Sequence, residues 1–250
     1  MTRNKSNEIV ESIRLNADER QAQILLRFFK SDKGQYGEGD VFLGVKVPVI
    51  RKLVAQHGVR DLDVLDRLLR EPYHEVRTFA IISLCQAYAK ASDDNGRKMY
   101  YDFYMSHTPY INNWDLVDIS CCRIVGDWLL RDQSLAMREL DRLASSTDLW
   151  EQRIAIVSTQ AFIRQRIFDH TIRICTALLY HPHDLIRKAI GWTLREMGKK
   201  DIQLLYDFLD SYAGTMPRVT LRYAIEKMPA DQRKYYMQFK SSYLVKDIDG

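Results

Sequence analysis

The sequence predicts an all-α protein in which paired helices stack into a curved right-handed solenoid. Three observations carry this. Segments of helical apolar periodicity follow one another along the chain, and its 11 glycines and 6 prolines cluster between them. From residue 62 onward the segments come in pairs: 62–70 with 74–90, 96–107 with 114–131, 134–144 with 149–166, 170–180 with 185–199, and 202–212 with 218–228. The second helices also share a pattern, Arg77-Thr78-Phe79-Ala80-Ile81, Arg153-Ile154-Ala155-Ile156, Arg187-Lys188-Ala189-Ile190 and Arg222-Tyr223-Ala224-Ile225. Its alanines step by 75, 34 and 35, and 75 is close to two repeats. Two helices per period in the mid-thirties indicate a solenoid of the HEAT or tetratricopeptide kind. The array is expected to form a single domain over residues 1–250.

Before the pairs, residues 8–30 read as helix, with Ile9, Ile13, Ile24, Leu25, Phe28 and Phe29 as candidate core positions. Residues 33–40 are polar and carry three glycines. No strand precedes them, and a phosphate-cradling loop needs a strand–loop–helix context. A turn beside a functional surface is the better reading. Phe42-Leu43-Gly44-Val45 follows, and Pro48 fits the first turn of a helix running to about His57.

Composition excludes several classes. Hydrophobic residues make up 46% and charged residues 28%, ordinary for a soluble globular chain. A net charge of +4 is compatible with a polyanionic partner without demanding one. No apolar run is long enough to span a membrane, and the first residues lack the apolar centre of a signal peptide. The expected location is cytoplasmic. Cys85, Cys121, Cys122 and Cys175 match no zinc or redox spacing and read as small buried hydrophobes. The histidines at 74, 107, 170, 181 and 183 are scattered near helix ends, so a metal site is poorly supported. No cofactor is implied.

One stretch stands apart: Asn112-Asn113-Trp114-Asp115-Leu116-Val117-Asp118. Asn112 or Asn113 can cap a helix there. Trp114 and Asp118, four apart, share one face, while Val117 points to the apolar side with Ile119, Ile124 and Val125. Asp115 and Asp118 also suit the helix dipole, and that plain account competes with a functional one. Halving the 75-residue step lands on 117 or 118, where the repeat predicts a small apolar residue. Asp118 stands there instead, and a carboxylate at a packing position costs stability unless it is bonded or reaches a cleft.

The second helices, expected on the concave side, carry a polar face. Lys188, Trp192, Arg195 and Lys199 follow helical spacing, as do Arg153, Val157, Gln160 and Arg164, and the next helix carries Arg218, Arg222 and Lys227. Single arginines of this kind often tie one repeat to the next. Several cations and a Trp along one wall suit a nucleic-acid backbone.

Four stretches resemble the AlkD-type DNA alkylation repair glycosylases, which are built from HEAT-like repeats. They are Phe42-Leu43-Gly44-Val45 with Pro48, Asn113-Trp114-Asp115-Leu116-Val117-Asp118, Trp150-Glu151-Gln152-Arg153, and Lys188-Ala189-Ile190-Gly191-Trp192 with Leu194-Arg195-Glu196. The resemblance runs from about Ala22 to Lys227. It implies a monofunctional enzyme that excises cationic alkylated purines, such as 3-alkyladenine and 7-alkylguanine, from double-stranded DNA. It further implies that Asp118 is the catalytic carboxylate, that Trp114 and Trp192 are the indoles contacting the lesion's deoxyribose, and that Arg153 grips the nearby phosphate. Lys188, Arg195, Lys199, Arg164 and Arg222 are further DNA-binding candidates. Where some members place a first-repeat Tyr at the lesion, the nearest residue here is Phe28. Tyr36, on a loop longer than in those members, is a second lesion-proximal candidate. The family leaves the base in the stack, and nothing in the sequence looks like a deep base pocket.

The chemistry follows from residue types. An alkylated purine already carries positive charge, so its departure needs no general acid. A carboxylate stabilises the oxocarbenium-like sugar and orients water, and aromatic faces stabilise the same charge. No Lys lies in the set, which argues against a Schiff-base lyase step. A monomer is expected. The rival reading is a non-catalytic helical-repeat scaffold that binds nucleic acid or an acidic protein. It accounts for the repeats and the basic face but not for Asp118.

Overall fold

The computed structural model describes residues 2–239, which fold as helices connected by short turns. Among the described residues there is no strand, only an isolated parallel bridge between Val41 and Tyr73. The chain packs as two compact units, Met1–Trp128 and Leu129–Gly250.

The first unit begins with α1 (Thr2–Arg14) and α2 (Glu19–Phe28). The continuous helix expected over 8–30 is broken at 15–18, where Asp18 starts a new one by accepting the Gln21 backbone N–H. Ile9, Ile13 and Phe29 are buried as expected, but Ile24 and Phe28 are exposed, Phe28 by 60%. After a turn-rich segment come α3 (Val47–His57), with Pro48 in its first turn, and α4 (Leu62–Leu69), capped by Asp61. Helix α5 (His74–Ala89) is buried on nearly every side. It packs against α3, α4, α6 (Asp94–Ser106) and α7 (Trp114–Cys121), which makes it the axis of the unit.

The helix expected over 114–131 is not uniform. Beyond α7 it widens into a π-helical stretch, Cys122–Gly126, before a last short turn, α8 (Asp127–Leu129). Tyr104 is fully buried and pairs its hydroxyl with Ser120 Oγ at 3.0 Å, which fixes α7 against α6. The repeat register also resolves. Val117 is fully buried, beside Leu116, so it fills the packing position that Ala80 and Ala155 fill elsewhere. Asp118 lies one residue on and is half-buried. The carboxylate therefore does not displace a packing residue.

The second unit contains α9 (Gln133–Ala144), α10 (Leu149–Ser158), α11 (Gln160–Arg164), α12 (Asp169–Ala177), α13 (Asp184–Gly198), α14 (Ile202–Tyr212), α15 (Arg218–Ala224) and α16 (Ala230–Gln238). The helix expected over 149–166 divides at Thr159, and α16 was not expected. The helix pairs pack in sequence, α9 with α10 and α13 with α14, and α13 lies closely along α15. Asp132, Asp148 and Asp201 cap α9, α10 and α14. Helix α16 is tied down by Tyr236, which donates to Asp210, and by Arg218, which donates to the carbonyls of Met237 and Phe239. Ala155, Ala189 and Ala224 are all buried, as the repeat requires. So are all four cysteines; burial pushes the Cys85 thiol up to about 12.

Candidate active site

In the first unit the site is built on α7. Asn113, buried, opens the helix by accepting the Trp114 backbone N–H, and its amide donates to Asp40 Oδ2 at 2.9 Å. That second bond anchors the start of α7 to the loop over 33–40. Trp114 and Asp118 follow one turn apart, both half-buried, on a face that reaches the surface. The Trp114 ring lies 5.8 Å from Phe28, edge to face, and stacks at 5.3 Å on Phe29. Phe28 and Trp114, both site candidates, are thus brought into contact. Tyr36 is half-buried on its loop.

Beneath these rings lies a polar network that sequence reasoning missed. His74, only 3% exposed, contacts Asp40 Oδ2 through Nδ1 at 3.2 Å and Asp115 Oδ2 through Nε2 at 2.9 Å. Arg77 donates to the other oxygen of Asp40. Burial works against a charged imidazole, but the charge and hydrogen bonds of Asp115 and the bond to Asp40 outweigh it and raise His74 to about 9. Burial likewise pushes Asp40 up, yet the His74 bond, the Arg77 charge and the Asn113 amide hold its carboxyl below the usual range. The His74 ring also packs against Phe29 and Phe42 at 4.8 Å, which suits a cation against aromatic faces. His74 and Asp115 are therefore structural partners, and Asp115 is more than a dipole-friendly acid. The signal in the sequence was a His opening a second helix with acids at 40 and 115, too far apart in the chain to be read as a set.

The stretch from Phe42 to Val45 has a local explanation. Glu75, buried, accepts the backbone N–H groups of Leu43, Gly44 and Val45 at 3.0, 2.7 and 3.1 Å. Gly44 takes φ +83°, and a Cβ there would meet the Asp18 carbonyl at 2.0 Å. The clamp sets Phe42 into the aromatic cluster with Phe29 and Ala22 against which Trp114 packs.

In the second unit the expected cations have differing surroundings. Arg153 is 5% exposed and donates to the Leu185 backbone carbonyl at 2.7 Å, so it ties α10 to α13. On α13, Lys188 pairs with Asp184 at 2.6 Å, Arg195 with Glu226, and Lys199 with Glu196 at 2.7 Å. Trp192 is half-buried on the same helix. Arg164 and Arg222 are exposed. Gly191 gives α13 its close approach to α15, because a Cβ there would lie 2.5 Å from the Thr220 carbonyl oxygen and from Tyr223 Cβ. Among the described residues no group of three or more His, Cys, Asp or Glu is arranged to hold a metal ion. No helix among them is long and apolar enough to cross a membrane.

The fold defines a class, the all-α proteins of stacked helical repeats. The chain matches the family model described as DNA alkylation repair enzyme over residues 9–228, and it belongs to that family. It is similar to a predicted DNA alkylation repair enzyme from Enterococcus faecalis, with a TM-score of 0.67 at 15% identity over 86% of this chain and 98% of that one. It is also similar to AlkD2 from Streptococcus mutans, with a TM-score of 0.55 at 15% identity over 92% of this chain and 100% of that one. At such identity these likenesses establish the fold. No curated protein matches the chain.

Proposed function

We propose that the protein is a monofunctional DNA glycosylase of base excision repair, acting as a cytoplasmic monomer. It hydrolyses the N-glycosidic bond of 3-alkyladenine and 7-alkylguanine in double-stranded DNA. Membership of the DNA alkylation repair family over residues 9–228 carries this reading. The cationic base leaves without a general acid. Asp118 stabilises the developing oxocarbenium and orients the attacking water, and Trp114 and Trp192 supply aromatic faces to the same charge. That Trp114 and Asp118 share a surface-reaching turn of α7 supports their place in this set. Exposed Arg164, Lys199 and Arg222, with half-buried Lys188 and Arg195, serve as phosphate contacts. Arg153 holds α10 to α13 and is a further phosphate contact in this reading.

The test is single-turnover release of 7-methylguanine from methylated DNA, corrected for spontaneous loss. Asp118→Asn keeps the size of the side chain and removes its charge, so release should fall by about 10²–10³-fold while DNA binding persists. An undiminished rate in the folded variant removes Asp118 from the mechanism. Binding without release by the wild-type protein would leave the non-catalytic scaffold reading in place.

A further inference from the structure

Trp114 is held on both sides along its own backbone. Asn113, the residue before it, is fully buried and donates to Asp40 Oδ2 at 2.9 Å. Asp115, the residue after it, meets His74 Nε2 at 2.9 Å through Oδ2. His74 Nδ1 contacts the same Asp40 oxygen that Asn113 uses, at 3.2 Å. One imidazole therefore joins the two anchors that bracket the indole. A second path runs through rings: His74 lies 4.8 Å from Phe29, and Phe29 stacks on Trp114 at 5.3 Å. Asp115 Oδ1 is buried with no hydrogen-bond partner, so among the described residues His74 is the one group that holds this carboxylate. Local preference does not explain a histidine here. His74 opens α5, where the helix dipole opposes a positive charge. A well-packed apolar filling is often at least as stable as a buried ion set, so stability alone does not explain the network either. A fully bonded polar network does fix one arrangement of the chain segments it ties.

We infer that His74 is a positioning residue: by bridging Asp40 and Asp115 it fixes the first turn of α7, and so sets the Trp114 ring and, one turn on, the Asp118 carboxylate for the reaction. The reaction itself rests on the glycosylase reading above; the placement of Trp114 does not. A misplacement of about 1 Å in such a set can cost about 100-fold in rate. The charged groups around the imidazole are Asp40 from the loop over 33–40, Asp115 from α7, Glu75 and Arg77 from its own helix, and Lys46 at the start of α3. Against burial, Asp115 and Asp40 raise its titration to about 9.

The experiment reads the indole and the reaction separately. The full-length protein is labelled with fluorotryptophan, and the fluorine resonance of Trp114 is assigned by its loss in Trp114→Phe. In the wild type this line should move as the pH passes about 9, and in His74→Gln it should stand displaced and not titrate. Single-turnover release of 7-methylguanine and the Kd for methylated duplex are measured on the same proteins at neutral pH. An Asn at 74 reaches toward Asp40 in place of Nδ1, and a Gln toward Asp115 in place of Nε2. His74→Asn, which gives up Asp115, should slow release about 30-fold and His74→Gln only about fivefold, with Kd unchanged within about twofold. Asp115→Asn cuts the same tie from the other side and should slow release about as much as His74→Asn; it stands in if a His74 variant does not fold. Release within about twofold of wild type in the folded variants overturns the inference and leaves the network a stabilising one. So does a Trp114 line that ignores both pH and the change at 74, or a loss of release that only follows a loss of DNA binding. No release by the wild-type protein overturns the glycosylase reading, and the Trp114 line alone then decides whether His74 places the indole.

Discussion

His74 carries a proton at neutral pH because two carboxylates hold it, and this makes the first unit sensitive to base. Its folded pKa of about 9 lies above the ordinary value of 6.5. A raised pKa means the folded state holds the proton more tightly than the unfolded chain. The resulting stability is fully present below about pH 6.5 and is lost as the pH rises through about 9. Asp40 has the opposite sign: its lowered pKa contributes stability above its ordinary value of 3.8 that is lost as the pH falls. His74→Gln should therefore destabilise most near pH 6 and progressively less toward pH 9.5, in thermal melts of variant and wild type across that range. A gap that stays constant with pH would show that the imidazole is neutral in the fold. Asp40→Asn removes the centre of the network and leaves Arg77 and His74 buried against a neutral amide. A loss of about 3–5 kcal/mol is expected in chemical unfolding at pH 7.

At the scale of elements, α13 shows how packing and the proposed chemistry meet in one dipeptide. Gly191 lets α15 approach, and Trp192 follows it on the surface-reaching face. A methyl group at 191 meets the Thr220 carbonyl, which is backbone and cannot swing aside. Gly191→Ala should cost about 1–3 kcal/mol in urea unfolding despite the higher helix propensity of Ala. A stabilised variant would mean that α15 yields easily. The alternation of helices, the buried alanines and most helix starts were legible because they follow from apolar period and capping residues. The break at 15–18 was not, because apolar periodicity continues on both sides of it and only Asp18 marks the new start. The role of Asp115 was hidden for a different reason. Its partner lies 41 residues away on α5, and local pattern carries no sign of a pairing between two helices. The register near Asp118 was off by one because a repeat step fixes a position only to within a residue, whereas burial of Val117 fixes it outright.

For the whole molecule the question is how a chain of 37 basic and 33 acidic residues binds a polyanion. Its net charge of +4 is small, and several candidate phosphate contacts already have acidic neighbours. Arg195 pairs with Glu226 and Lys199 with Glu196, so on the proposed DNA-binding reading a phosphate competes with carboxylates for these cations. Lys227 and Arg195 in turn hold the Glu226 carboxyl below its ordinary range. Binding should thus be weaker than the count of cations suggests, with a salt dependence reporting only a few released counterions. Arg153→Ala tests the buried member of the set. If Arg153 reaches phosphate, the variant loses about one counterion of salt slope on damaged and undamaged DNA alike; if it only ties α10 to α13, stability falls and the slope holds. Glu226→Gln tests the competition directly. It loosens Arg195, whose Nε still lies 3.6 Å from Glu196, and removes a negative charge from the proposed DNA-facing set, so affinity for undamaged duplex should rise about three- to tenfold at low salt, the gain shrinking as salt is added. Fluorescence anisotropy over a salt series measures both effects. Unchanged affinity at every salt concentration would place Arg195 and Glu226 outside the DNA-binding surface.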